Sequence, residues 1–444
     1  MANTKLIPGL LSREIAFNIL EEHYKKQTFL KDLFAQSLSR IPEREIGLVQ
    51  EIIYGVVRWQ ALLDYNISLY ITKSVKGNRT KTILRLTAYQ IFFLSTPDYA
   101  SLSIGVELLK KHGHRSLAQF GNALFRKLQK NGLKKMEGNK LKALAINYSH
   151  PLWLVQKWHK ALPPALLLNM LKANNTQQSH WVRLNQAKAP PLTIQNEIEG
   201  VEVEQEATES FPYFLVSKGI SSLLNSSSFK KGLLALQSPS SFFACQLLNW
   251  KPKESILDMC AAPGGKSARL IEQFKDSSSI ICADSSFNRL NKIKDTQQRL
   301  GHTQLLPVVM DGNRPAFKKT FDKIFIDAPC SNLGVIRRKP EIKWRQTEQS
   351  IQQLISLQKK LLQSAASLTH LGSVIVYATC SPDKEETQNV VQSFLKENPE
   401  WQLEPAQNFI PKEYTKEDYF WIYPGETTFD GFFAARLVRK ATLT

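Results

Sequence analysis

Across the first 130 residues, apolar positions recur three and four apart, as in Ile15 and Ile19, Ile46 and Val49, Ile52 and Val56, and Ile104 and Leu108. That spacing lines one face of a helix, and strand-like alternation is scarce, so residues 1–130 read as an all-helical domain. Ser12 is expected to cap the first helix. Pro42 should sit just inside the start of another, and Pro97 should end the helix that carries Ile83 to Leu94, since proline cannot donate the N–H a helix interior needs. The run QKNGLKKMEGNKLK at 129–142 holds five lysines. Its composition predicts an exposed basic linker over 131–144. From 145 to 235 the pattern predicts a small α+β segment, with a helix at 151–162, short strands in WVRLN and FPYFLVSKG, and breaks at Pro190-Pro191 and the Ser-rich 221–228. Beyond 236, strand-length apolar runs alternate with helical segments: SILDM (255–259), SIICAD (279–284), KIFIDAP (323–329) and GSVIVYATC (372–380). The alternation predicts a Rossmann-like, doubly wound α/β domain over 236–444, whose ligands lie at the carboxyl ends of its strands.

The 444 residues, 43% hydrophobic and 22% charged, suit a folded protein of several domains and exclude a disordered or fibrous chain. The longest uncharged stretches, 232–250 and 361–382, are punctuated by polar residues, so no membrane span is expected. The N-terminus reaches Arg13 and Glu14 before an apolar secretory region forms, which points to the cytoplasm. A net charge of +19 attracts polyanions, above all nucleic acid. Five cysteines without CxxC spacing argue against a disulfide framework and against zinc; no metal is expected. A monomer is expected.

Two groups of residues change the picture further. In ILDMCAAPGGKSARL (256–270), a buried strand runs into a turn of small residues and then a helix. The residues Cys260, Ala261, Ala262, Pro263, Gly264, Gly265 and Lys266 would let the backbone approach a ligand, and Asp284 ends the next strand where a carboxylate can accept ribose hydroxyls. The turn is neither GxGxxG nor GxxxxGK[ST], which argues against NAD and against ATP phosphates and leaves an adenosine cofactor. The plainer reading is a tight turn with Asp284 as a helix cap. Second, Cys330 and Cys380 each follow a buried strand, in IDAPCSNLGVIRRKPEIKW (326–344) and VYATCSPDKEE (376–386), with Asp327 three residues before Cys330. Both thiols should open onto the cofactor edge. A thiol at such an edge suits alkylation of a pyrimidine at C5: it adds to C6, C5 gains electron density, and a base later removes the C5 proton so that the thiol leaves. Asp327 suits the N3 and N4 edge of the base. By this reasoning alone the two thiols are interchangeable.

At these residues the sequence resembles the Sun family of S-adenosylmethionine-dependent RNA cytosine-C5 methyltransferases. LDMCAAPGGK, CADSS, VVMDG (308–312), FIDAPCSNLGVIRRKPEIKW, VYATCSPDKEE and FDGFFAARLVR (429–439) resemble its motifs in order. The resemblance implies that Cys380 is the nucleophile, that Cys330 assists release of the methylated base, and that Asp311 lies on the adenine side of the cofactor. Asn332 stands where the family usually has glycine. The helical region, with IYGVVRWQALLD (53–64) and RLTAYQIFFL (85–94), is similar to the RNA-binding antitermination factor NusB, an arrangement that implies 16S ribosomal RNA or a small-subunit assembly intermediate as partner. Arg337, Arg338, Lys339 and Lys343, with Arg183 in VRLN, are expected to contact RNA phosphates, while Trp153, Trp181 and Trp344 serve as base-stacking or core residues. Cys245 and Cys282 should only pack. A tRNA substrate, or a non-catalytic assembly role, are the competing readings. Of the charge, the first 150 residues hold 23 basic against 11 acidic, which suggests that the helical domain grips RNA and the α/β domain does the chemistry.

Overall fold

The computed structural model describes residues 8–440 apart from 73–74, 76, 96–97, 113–114, 177–178, 189–199, 206, 209 and 273–278. The expected helix end at Pro97, the break at Pro190-Pro191 and the reading of the extreme N-terminus therefore lie wholly or partly outside the described residues. The chain divides into two units, Met1–Asn175 with Ile336–Arg345, and Thr176–Val335 with Gln346–Thr444.

The first unit is helical: α1 (Leu10–Lys26), α2 (Leu30–Ser37), α3 (Ile46–Arg58), α4 (Gln60–Ser68), α5 (Asn78–Phe93), α6 (Asp98–His112), α7 (Arg115–Asn131), α8 (Lys140–Asn147), α9 (Leu152–Ala161) and α10 (Pro164–Ala173). The predicted apolar faces meet in one core around Ile15, Ile19, Val49, Ile52, Val56, Ile104 and Leu108. Gly55 lets α3 lie close to α5, because a Cβ there would fall 2.0 Å from the Tyr89 ring. Ser12 is not the cap. Left-handed Gly9 precedes α1, and Ser12 lies buried inside the helix with no partner for its Oγ among the described residues. Pro42 precedes a 3₁₀ turn, and α3 begins at Ile46.

The lysine-rich connection is shorter and better tied than its composition suggests. Helices occupy both of its ends, and the loop between them is stitched by two asparagines. Asn66 donates to the Lys134 carbonyl at 3.0 Å and accepts from its N–H at 2.8 Å, and Asn147 makes the same pair of bonds with Met136. Residues 145–175 group with the helical unit, as do 336–345.

In the second unit, β1 (His180–Leu184), β2 (Glu202–Gln205), β3 (Tyr213–Lys218) and β4 (Leu234–Leu236) form an antiparallel sheet in the order β2-β3-β1-β4. The larger sheet contains β5 (Ile256–Asp258), β6 (Ile280–Asp284), β7 (Leu305–Val309), β8 (Phe321–Asp327) and β9 (Thr369–Thr379), parallel in the order β7-β6-β5-β8-β9. Antiparallel strands β10 (Trp401–Glu404), β11 (Thr415–Lys416), β12 (Tyr419–Ile422) and β13 (Phe432–Arg439) extend it beyond β9. Each of the four predicted apolar runs forms a strand, buried on both faces by the helices that connect them, as a parallel sheet requires. The strand order turns back between β5 and β8. A doubly wound sheet opens its ligand crevice at such a switch point, and here the register sets Asp258 opposite Phe325 and Asp327 opposite Ala378, so these strands finish along one edge.

Candidate active site

The loop after β5 is shaped by Gly264, whose φ of 94° is in the left-handed region and which leads directly into the helix Gly265–Ile271. Asp284, at the end of β6, is almost wholly buried. Its carboxylate accepts from the Ala262 N–H at 3.3 Å and the Ser286 N–H at 3.0 Å, while Arg289 approaches it at 3.4 Å and donates to the Ala262 carbonyl at 2.7 Å. Asp284 thus braces the loop, while the cap of the helix Phe287–Leu300 is Ser286, whose hydroxyl accepts from the Arg289 N–H. Asp311 lies just past β7, exposed, and accepts from the Asn313 N–H at 2.9 Å.

Asp258 is a carboxylate that the motif reading left without a task. It is 1% exposed; Ser267 donates to its Oδ2 at 2.6 Å, and Oδ1 has no partner among the described residues. Burial pushes its pKa up to about 7 against the opposing hydrogen bond from Ser267. Asp258, Asp327 and Asp284 all act on Cys260, whose thiol is raised first by burial and then by these three negative charges. A loop faced by three carboxylates, one with a buried open acceptor, fits a ligand that carries positive charge and N–H donors. The sulfonium and ammonium of S-adenosylmethionine meet that description.

Lys266 and Asp327 form an ion pair at 2.6 Å. Burial works against the Lys266 charge, but Asp327 outweighs it, helped by Cys380, and the pKa is raised. The neighbouring strands β8 and β9 deliver Cys330 and Cys380 together, with their sulfurs 3.1 Å apart. Their surroundings differ. Cys330 is 7% exposed, and its pKa is raised well above the ordinary value, first by its hydrogen bond to Cys380 and then by burial and the charges of Cys380 and Glu386. Cys380 is more open, and its thiol donates to Asn332 Oδ1 at 3.2 Å.

Glu386, fully buried, joins the two cysteine turns. It accepts from the Ser331 N–H at 2.8 Å, the Ser331 hydroxyl, the Ser381 hydroxyl at 2.6 Å and Gln358 Nε2 at 3.1 Å. Burial raises its pKa, opposed by the serine hydrogen bonds. Sequence reasoning did not single it out. The only available signal was a glutamate six residues after Cys380 in a turn rich in hydroxyl groups.

The expected RNA contacts divide. Arg338 and Lys339 are exposed, whereas Arg337 is buried. Lys343 has no exposure at all; its ammonium donates to the Arg58 carbonyl at 2.9 Å and to Asn175 Oδ1 at 3.1 Å. Arg183 is likewise interior, paired with Glu272, which also binds His302 at 2.9 Å. Lys343 and Arg183 therefore hold the protein together and do not face a phosphate. Trp181 is buried, Trp344 packs against the helical core and Trp153 is half-buried. Cys245 and Cys282 are fully buried, and burial pushes each thiol up to about 12.

Comparison with known proteins adds a separate line of support. Residues 245–438 match the family model for 16S rRNA methyltransferase RsmB/F, residues 11–130 the NusB family, and residues 150–216 an RsmF/B-like ferredoxin-like domain. The chain is 30% identical to a probable ribosomal RNA small subunit methyltransferase B of Bacillus subtilis, over 96% of this chain and 98% of that one. It is 29% identical to the ribosomal RNA small subunit methyltransferase B of Photorhabdus laumondii, over 99% and 100%. Among solved structures, that of PH0851 superposes with a TM-score of 0.80 at 25% identity, covering 98% of this chain and 99% of that one. A methyltransferase homolog from Pyrococcus horikoshii gives 0.59 at 23% identity, over 69% and 100%, a likeness of fold.

Proposed function

The chain belongs to the RsmB/F family of 16S ribosomal RNA methyltransferases, with a NusB domain at its amino end, and from that premise we propose that Cys380 attacks C6 of a cytosine in 16S ribosomal RNA so that C5 can be methylated. The protein is an enzyme of the S-adenosylmethionine-dependent class. When bound, the cofactor supplies an electrophilic methyl group. The residues that would hold it are the loop 260–266, Asp258, Asp284 and Asp311.

The observation that carries the choice of nucleophile is the inequality of the thiols. Cys330 is the more buried and holds its proton toward Cys380. Cys380 is more open and interacts electrostatically with Lys266. A sulfur near a cation and able to reach a ligand is the better attacking group. Addition of Cys380 to C6 pushes electron density to C5, the atom that takes the methyl group. Asp327, oriented by Lys266, accepts from the N4 amino group at the N3 and N4 edge of the base, and the Lys266 ammonium beside it offsets the negative charge that develops there. A base takes the C5 proton, the electrons of that bond re-form the C5–C6 double bond as the Cys380–C6 bond breaks, and Cys330 assists that release by giving its proton to the departing Cys380 sulfur. The target base must leave its stack to reach the thiols, which unpaired positions of folded RNA allow at least cost. The basic helical unit, with the exposed Arg338 and Lys339, holds phosphates of the ribosomal RNA or of a small-subunit assembly intermediate. The cytoplasm keeps such thiols reduced.

Incubation with labelled S-adenosylmethionine and 16S ribosomal RNA should place label on cytosine C5. Cys380→Ala should abolish transfer, whereas Cys330→Ala should accumulate a covalent protein–RNA adduct on denaturing gels. Adduct with Cys380→Ala would exchange the two roles, and no labelled cytosine in any RNA would overturn the function.

A further inference from the structure

We propose that Asn332 is a positioning residue that ties the two thiol-bearing turns together and directs the Cys380 thiol, a part this chain has in a turn where its resemblance to the family leads one to expect glycine. The inference rests on the reading of Cys380 as nucleophile. Asn332 has a φ of 60°, so the backbone keeps the left-handed bend that glycine takes freely and that asparagine tolerates better than most residues. What asparagine adds is an amide. Its Nδ2 donates to the Cys330 carbonyl at 2.8 Å. A carbonyl can only accept, so that bond sets the orientation of the amide and leaves Oδ1 facing Cys380. Cys380 accordingly donates its S–H to Oδ1 at 3.2 Å, and the Cys330 sulfur lies 3.1 Å from that of Cys380. The turn is held on its other side by the Val335 N–H on the Asn332 carbonyl at 3.1 Å and the Gly334 N–H on the Cys380 carbonyl at 2.9 Å.

The result is a closed path of interactions from the Cys330 backbone through the Asn332 amide to the Cys380 sulfur and back to the Cys330 sulfur. With glycine the middle of that path is missing, and the Cys380 side chain is free to turn about its Cα–Cβ bond. Asn332 therefore restrains the nucleophile twice: it fixes the aim of the sulfur, and it occupies the S–H proton with a neutral acceptor. Aim favours the enzymatic step, in which small displacements of reacting atoms are costly. The occupied proton slows reaction with any small electrophile that needs no aim.

Those two effects separate in one experiment on the full-length protein. Iodoacetamide labelling is followed cysteine by cysteine with mass spectrometry over a range of pH, next to methyl transfer to 16S ribosomal RNA. Asn332→Gly should speed alkylation of Cys380 by about tenfold at neutral pH, the equivalent of one hydrogen bond, and move its pH profile lower. Cys245 and Cys282 should stay as unreactive as in the wild type, and kcat for methyl transfer should fall with KM for RNA unchanged. Asn332→Asp, of the same size but with a charged acceptor in place of the donor, should slow Cys380 alkylation and move the profile higher. Should Asn332→Gly expose Cys245 and Cys282 by unfolding, the Asp variant decides by the same measure. A Cys380 profile that superimposes on the wild type in the folded variants would overturn the proposal. Methyl transfer surviving in Cys380→Ala would instead remove the nucleophile assignment and leave the alkylation result intact.

Discussion

Asp258 and Glu386 are both buried carboxylates, and they are held differently. Glu386 is surrounded by donors, two serine hydroxyls, a backbone N–H and an amide. Asp258 has the Ser267 hydroxyl on Oδ2 and no partner for Oδ1 among the described residues, and burial outweighs the hydrogen bonds from Ser267 and the Cys260 N–H to push its pKa up to about 7. A carboxyl whose folded pKa lies above its unfolded value binds its proton more tightly when folded. Its contribution to stability is thus fully present below the unfolded value and is lost as pH rises through the folded one. Between about pH 4 and about 7 the melting temperature should fall, and Asp258→Asn, which never ionises, should flatten that part of the curve. A slope identical in the variant would remove Asp258 as its source. Cys330, Cys380, Asp284 and Asp327 were legible in sequence because each directly ends or follows a buried apolar run. Glu386 was not, since its meaning lies in its hydrogen bonds to Ser331, 55 residues away, which no local pattern encodes.

Residues 336–345 read in the sequence as a basic tail to the Pro-Cys-Ser turn, and their charges suggested RNA. In the structure they belong with the helical unit. Trp344 Nε1 donates to the Val57 carbonyl at 2.8 Å, the Arg345 guanidinium lies 4.0 Å from the centre of the Phe29 ring, and Arg58 donates to the Arg337 carbonyl at 3.0 Å. Lys343 is held there by a carbonyl and an amide oxygen, and burial, aided by Arg58, drives its pKa well below the usual value for lysine. The segment behaves as a piece of helical core supplied from elsewhere in the chain. Trp344→Ala should cost about 2–4 kcal/mol in urea unfolding of the full chain, and Trp344→Phe, which keeps an aromatic ring but loses the N–H, about 1 kcal/mol. Equal losses would mean that the hydrogen bond, and not the packing, matters. Helical periodicity could not have revealed this, because the partners of Lys343 and Trp344 lie 168 to 287 positions earlier in the chain.

Positive charge is spread unevenly over the chain, with 23 basic and 11 acidic residues in the first 150. Exposed lysines cluster at the end of α7, on the following loop and at the start of α8, at Lys127, Lys130, Lys134, Lys135, Lys140 and Lys142. The loop that bears several of them is tied down by Asn66 and Asn147, so these cations are presented on an ordered surface. Replacing Lys130, Lys134, Lys135 and Lys140 by glutamine should weaken 16S ribosomal RNA binding without altering the melting temperature. It should also reduce the slope of log affinity against log salt by up to about one for each phosphate that is no longer neutralised. An unchanged slope would place the RNA elsewhere. Periodicity and strand-end chemistry are local properties, so the helical region, the doubly wound sheet, the small-residue turn after β5 and the two thiols that follow β8 and β9 could be read from the order of the residues. Folding settles which cations face solvent and which are buried, which carboxylate is ringed by donors and which keeps one oxygen without a partner among the described residues, and how the two thiols differ. Those outcomes depend on burial and on the groups that distant segments bring within hydrogen-bonding distance, and neither is written in the order of the residues.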